Sequence, residues 1–393
     1  MATVSNLEGT RLASALFAGK PDASLAAQLQ VSAEIAIKTS LKVQKDEQVL
    51  IISNPASVQL AISAALYDAA AAAGGKPVLL IQNTKSQVDF AEPAVIAAFG
   101  SEPEVVISIS AGKLGKDERG IAHPYPFEGK GYDHIFHLLQ YGKKSTRGFW
   151  SPSITLDTFI RTVPIDYALL QERCAAIAAI LSEAESVRVS APGGTDIRLG
   201  LRGRAAKSDD GDFSKGGAGG NLPAGEVFIS PENNTAEGVI VFDGAISVNE
   251  GDIVIAEPIV CEVHGGFVSE VRGGAEAEAL KATIRLAERN AWDFEKSGKL
   301  PRGMASVYAR NAKNIGELGI GLNPAARITG NMLEDEKVYK TCHFAIGQNY
   351  DEDAPALIHL DGLVNNPTIT AFLPCGTETL IEKAGELSQS LLS

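Results

Sequence analysis

Val49-Leu50-Ile51-Ile52-Ser53 is a short apolar, β-rich run that follows the polar Lys45-Asp46-Glu47-Gln48. Asn54-Pro55 then opens an alanine-rich stretch, Val58 to Ala73, of strong helix propensity. It stops at Gly74-Gly75, and Lys76-Pro77 leads into a second apolar run, Val78 to Ile81. A third, Val105 to Ile109, follows another helical stretch. Strand, helix and strand with short connections predict an α/β unit whose parallel sheet is covered on both faces. The turn Ser53-Asn54-Pro55-Ala56-Ser57 carries neither GxGxxG nor a Walker lysine, and Gly74-Gly75 lies at a helix end. Nucleotide binding is therefore not expected.

Around Gly112 to Lys144, Gly, Lys, Tyr and His become dense. His134 and His137 stand three apart and can share a helix face, but packing explains them more simply than ligation. Pro164 to Leu181 reads as a helix. Val187-Arg188-Val189 and Ile197 to Leu201, alternating on either side of a Pro-Gly-Gly turn, read as a hairpin. Short strands and glycine-rich turns continue to the end, broken by one clear helix, about Ala275 to Ser297. The expected division is an α/β N-terminal domain over 1–185 and an α+β, strand-rich, metal-binding C-terminal domain over 186–393.

The 393 residues suffice for two or three domains, and 45% apolar with 21% charged residues is an ordinary globular balance. A net charge of -13 argues against nucleic acid and anionic membranes as partners. The four cysteines, Cys174, Cys261, Cys342 and Cys375, are scattered without CxxC spacing, so neither a disulfide framework nor a thiolate zinc site is expected. Met1 to Lys20 lacks the pattern of a secretory signal. No run approaches the roughly 18 to 20 apolar residues of a membrane span. These features predict a soluble, cytoplasmic protein.

The last third carries carboxylates and imidazoles at the edges of short apolar segments: Glu226, Glu317, Glu336, His343, His359 and Asp361. Glu226 precedes the β-rich Val227-Phe228-Ile229. Glu317 sits inside the apolar, glycine-punctuated Asn314-Ile315-Gly316-Glu317-Leu318-Gly319-Ile320-Gly321, where a carboxylate is buried and needs a metal, an arginine such as Arg327, or amides as partner. In Leu333-Glu334-Asp335-Glu336-Lys337, Glu336 is taken as the inward carboxylate of a run that otherwise reads as a solvated face. His343 starts an apolar strand, and strand alternation sends His359 and Asp361 of Leu357-Ile358-His359-Leu360-Asp361-Gly362 to one face. Mixed carboxylate and imidazole suits zinc, cobalt, manganese or ferrous iron. Two such ions close together would activate a water and polarise a carbonyl, so these residues suggest a metal-dependent hydrolase. Tyr350, beyond Gly347-Gln348-Asn349, is positioned to donate to a developing oxyanion.

Over most of its length the chain resembles the aminopeptidase T and aminopeptidase S family of two-metal peptidases. The resemblance is carried by Arg147-Gly148-Phe149-Trp150-Ser151-Pro152-Ser153, Asn221-Leu222-Pro223-Ala224-Gly225-Glu226-Val227-Phe228, Gly316-Glu317-Leu318-Gly319 and the segment from His343 to Tyr350. It implies Glu226, Glu317, His343, His359 and Asp361 as ligands of two divalent ions (zinc, cobalt or manganese), with Glu336 a further ligand. It implies Tyr350 as a contact to substrate or transition state; in such a two-ion mechanism Glu317, where it is not fully engaged, is the expected proton acceptor. It also implies a homodimer that removes N-terminal residues from short peptides. Glu336 lies further before His343 than the corresponding glutamate of those peptidases, and the stretch from His343 to His359 is shorter. A related branch of the fold holds ring-cleaving dioxygenases for dihydroxypyridines, with one iron on two histidines and an aspartate, a triad that His343, His359 and Asp361 can supply. A catalytically degenerate metal-binding relative is the third alternative.

Overall fold

The computed structural model describes residues 23–86, 89–374 and 376–391. Met1 to Lys20 and Cys375 therefore lie outside the described residues. Two compact units emerge, one of residues 1–167 and 211–224, the other of residues 168–210 and 225–393. The division expected at 185/186 falls at 167/168 instead, and a later segment returns to the first unit. The physical reason for that return is a strand: Gly219–Asn221 pairs in parallel with Arg147–Trp150 and so belongs to the first sheet.

That sheet has five parallel strands in the order Gly219–Asn221, Arg147–Trp150, Val105–Ile109, Gln48–Ser53, Lys76–Ile81. The helix expected from the alanine-rich stretch runs from Ser57 to Ala72 and links Gln48–Ser53 to Lys76–Ile81. Leu50, Ile52 and Val106 of the sheet pack with Val95, Phe99, Phe136 and Leu139 in one apolar cluster. Burying each such side chain is worth roughly 1.5–3 kcal/mol, which outweighs the modest strand propensity of so short a sheet. His134 caps the short helix Ile135–His137: its Nδ1 accepts from Phe136 N, and Nε2 meets Gly115 O at 3.2 Å. It is a structural histidine, as packing predicted.

The second unit is built on two antiparallel sheets. One has eight strands, in the order Phe267–Arg272, Ile259–His264, Glu237–Phe242, Asp196–Gly200, Ser186–Ser190, Thr368–Phe372, Glu378–Lys383, Glu386–Leu387. The predicted hairpin is its Ser186–Ser190/Asp196–Gly200 pair, in register from Ser186↔Gly200 to Ser190↔Asp196. The other has seven strands: Gly251–Val254, Ala245–Val248, His359–Asn365, Thr341–Gly347, Ile315–Gly321, Glu226–Ile229, Lys207–Asp209. The amphipathic helix Ala275–Lys296 buries Ala277, Leu280, Ile284, Ala287 and Ala291, a spacing of three and four residues. Cys174, Cys261 and Cys342 are free and buried. No helix of the described residues is long and apolar enough to cross a membrane.

Candidate metal centre

Four neighbouring strands of the seven-stranded sheet carry Glu226, Glu317, His343, His359 and Asp361. Their register explains how so many polar side chains fit on one buried face. Glu226 lies opposite Gly321, Glu317 opposite Ala345 and Ala345 opposite Asp361. In the adjoining rows His343 lies opposite Gly319, and Gly347 opposite His359. Across strands the candidate side chains thus face glycine or alanine, and along the Glu317 and His343 strands they alternate with them. At Gly319 the exchange is close: a Cβ there would run into the His343 imidazole.

Five of the six expected ligands meet. His343 Nε2 is 3.1 Å from Glu317 Oε1 and 3.5 Å from Glu226 Oε2. His359 Nε2 is 3.8 Å from Glu317 Oε2 and 3.2 Å from Asp361 Oδ1. The buried Glu317 therefore finds two imidazoles as partners. His359 Nδ1 sits 2.8 Å from the Gln348 carbonyl, which can only accept, so this nitrogen carries the proton and Nε2 faces the cluster.

Glu336, the sixth, is held differently. Its Oε1 is 2.6 Å from the ammonium of Lys337, which is also 2.5 Å from Glu226 Oε1 and 3.6 Å from Asp209 Oδ2. The lysine is 0% exposed. The acidic run is thus no solvated face: Glu334 and Asp335 are buried too, and serve the backbone. Glu334 Oε1 accepts from Arg327 N, and Asp335 accepts from Thr329 N and Gly330 N. Sequence reasoning missed Lys337 and Asp209, because a lysine beside acidic residues has the pattern of any surface turn.

Burial by itself would lower the imidazolium pKa values here, but the carboxylates outweigh it. Glu317, Glu226 and Asp361 bring His343 to about 9. Asp361 and Glu317 bring His359 to about 10. Asp361 would rise on burial, yet His359 and then His343 hold it at about 2. Burial raises Glu317 against the pull of both imidazoles, and drives Glu336 up to about 8 in spite of Lys337. Lys337 would lose its proton on burial alone; Glu226, Glu336 and Asp209 reverse this and keep it charged.

The donor set fits a divalent cation. Glu226 Oε2 and Glu317 Oε2 are buried and accept no hydrogen bond among the described residues. Two overlapping groups, Glu226–Glu317–His343 and Glu317–His359–Asp361, each offer ligand atoms within 4.8 Å of one another. Buried carboxylate oxygens without donors are costly unless a cation completes them.

Tyr350 stands at the edge, 51% exposed, its ring centroid 5.1 Å from those of both His359 and Phe228. Crowding first, then the charges of Glu317 and Asp361, push its phenol far above the ordinary value. A cavity of about 700 Å³ lies elsewhere, within the first unit, where Ser108, Lys113, His134, His137 and Trp150 line it. Both nitrogens of His134 are engaged there, and the grouped candidate ligand atoms lie in the sheet cluster.

The family model described as NicX, 2,5-dihydroxypyridine 5,6-dioxygenase, matches residues 155–346, just under half of the chain. The match takes in Glu226, Glu317, Glu336 and His343 and stops before His359 and Asp361. A curated 2,5-dihydroxypyridine 5,6-dioxygenase of Pseudomonas putida is 29% identical over 171 residues, 42% of this chain and 41% of that protein's length. The solved structure of a 2,5-dihydroxypyridine dioxygenase from Pseudomonas putida KT2440 superposes with a TM-score of 0.67 at 19% identity, over 93% of this chain and 98% of that one. Wild-type AmpT from Thermus thermophilus superposes with a TM-score of 0.62 at 16% identity, over 92% and 99%. At these identities, what the chain shares with both structures is the aminopeptidase-like two-domain fold: a parallel α/β sheet and a strand-rich antiparallel part.

Proposed function

We propose that this chain is a metal-dependent enzyme that holds one ferrous ion and opens the ring of a small dihydroxylated aromatic of the dihydroxypyridine class. The observation that carries the reading is the approach of His343 Nε2 and His359 Nε2 to opposite oxygens of Glu317, with Asp361 alongside. Two imidazoles with carboxylate are the ligand set of mononuclear iron oxygenases. The remaining carboxylates, Glu226 and Glu336, already share the Lys337 ammonium. The family model and the curated relative point the same way by their descriptions.

When bound, the ion would supply the redox chemistry that lets dioxygen react with the ring. The chain's own residues orient and exchange protons. The Gln348 carbonyl fixes the face that His359 presents. Glu317, whose basicity burial raises, is in its ionised form the group to take the proton that a ring hydroxyl gives up on binding. Tyr350 offers a ring edge and a protonated phenol at the rim.

A second reading is the two-ion aminopeptidase acting on short peptides, as a homodimer. It is favoured by the second ligand group, Glu226–Glu317–His343, which shares Glu317 with the first as a bridging carboxylate would. One experiment separates the two. Metal-free protein is reconstituted anaerobically with ferrous iron and given 2,5-dihydroxypyridine and air-saturated buffer. In parallel it is loaded with zinc, cobalt or manganese and given short peptides. Oxygen uptake in step with loss of the ring chromophore is expected; peptide hydrolysis without oxygen uptake would transfer the assignment to the peptidase.

A further inference from the structure

Lys337 is a cation with no exposure, ringed by acids that come from three separate segments. Its ammonium lies 2.5 Å from Glu226 Oε1, 2.6 Å from Glu336 Oε1 and 3.6 Å from Asp209 Oδ2. Asp209 ends a strand that pairs with the Glu226 strand, Glu226↔Asp209 in register. Lys337 arrives from the loop after the helix Met332–Asp335. Three carboxylates thus supply one buried positive charge with its counter-charges. Glu226 faces both ways: Oε1 meets the ammonium, while Oε2 accepts no hydrogen bond among the described residues and lies 3.5 Å from His343 Nε2.

We propose that Asp209, Glu226 and Glu336 form a latent second metal site, which Lys337 fills with its own ammonium. The chain therefore takes one divalent ion where the acids alone would take two. This rests on the metal-dependent reading and deepens it. The lysine sets the metal count, and Glu226 would bridge the two positions once the ammonium is gone.

The test is Lys337→Met, which keeps side-chain length and removes the charge; a thioether is a poor ligand for a hard ion. Metal-free wild type and variant are titrated with Mn²⁺, and bound metal per chain is counted by mass spectrometry. Electron paramagnetic resonance then reads whether bound ions are coupled, as they are about 3.5–4 Å apart in two-metal sites. The expected result is one uncoupled Mn²⁺ in wild type and two coupled Mn²⁺ in the variant. The variant should also gain more in melting temperature on adding Mn²⁺ than wild type does, because the ion replaces the lost ammonium. Two ions in wild type, or one in both, overturns the proposal and leaves the metal-dependent reading standing. A variant that folds neither with nor without Mn²⁺ overturns it as well, since a cation from solution should restore the balance. No Mn²⁺ uptake by wild type refutes the metal-dependent reading itself.

Discussion

His343 and His359 face the same carboxylate from two sides, and their charge state sets how an ion can enter. Both stand well above the ordinary imidazole value, at about 9 and about 10, because the surrounding acids outweigh burial. A raised imidazole pKa stabilises the folded metal-free chain below about pH 6.5, and that contribution is lost as pH rises through 9 and 10. An ion needs both nitrogens neutral, so at pH 7 it must displace about two protons. Calorimetry in buffers of different ionisation enthalpy should show that release, falling towards zero above pH 10, with apparent ion affinity rising steadily from pH 6 to 9. Affinity independent of pH over that range would mean that the imidazoles are not ligands. At this scale the sequence was legible in residue type: alternation put His359 and Asp361 on one face, where their side chains meet at 3.2 Å.

At the scale of elements, the centre depends on small residues as much as on ligands. Ile315–Gly321 and Thr341–Gly347 are buried along their whole length, so every side chain on the site face competes for the same space. Gly319 yields its share to His343, its cross-strand neighbour. Gly319→Ala should push the imidazole away from Glu317, weakening ion affinity by about 10- to 100-fold, as lost ligand support does elsewhere. It should also cost about 1–3 kcal/mol of stability through overpacking. Equilibrium dialysis and thermal melting measure the two effects; unchanged affinity would show that the ring does not need that space. The glycines around Glu317 were visible in the sequence, but their purpose was not. A period-two pattern shows which residues share a face, whereas the register that sets Gly319 against His343 is decided by pairing between strands.

At the scale of the molecule, all the candidate ligands belong to the second unit, and an ion that binds only the folded state must stabilise it. At a free ion concentration 100 times the dissociation constant the gain is about 2.7 kcal/mol, a rise of a few degrees in melting temperature that a chelator should reverse. A transition indifferent to both would argue against a metal centre. Local pattern was enough to establish the parallel α/β sheet, the strand-rich second part, the hairpin at Ser186–Gly200 and the shared face of His359 and Asp361, because propensity and periodicity are written in short stretches. Only the tertiary structure assigned residues 211–224 to the first unit, since a three-residue strand has no signature apart from its partner. Only the tertiary structure, too, turned a Glu-Asp-Glu-Lys run into a buried ion cluster. Lys337 and Glu226 stand 111 residues apart, and whether a charge is solvated or enclosed depends on what the rest of the chain folds around it.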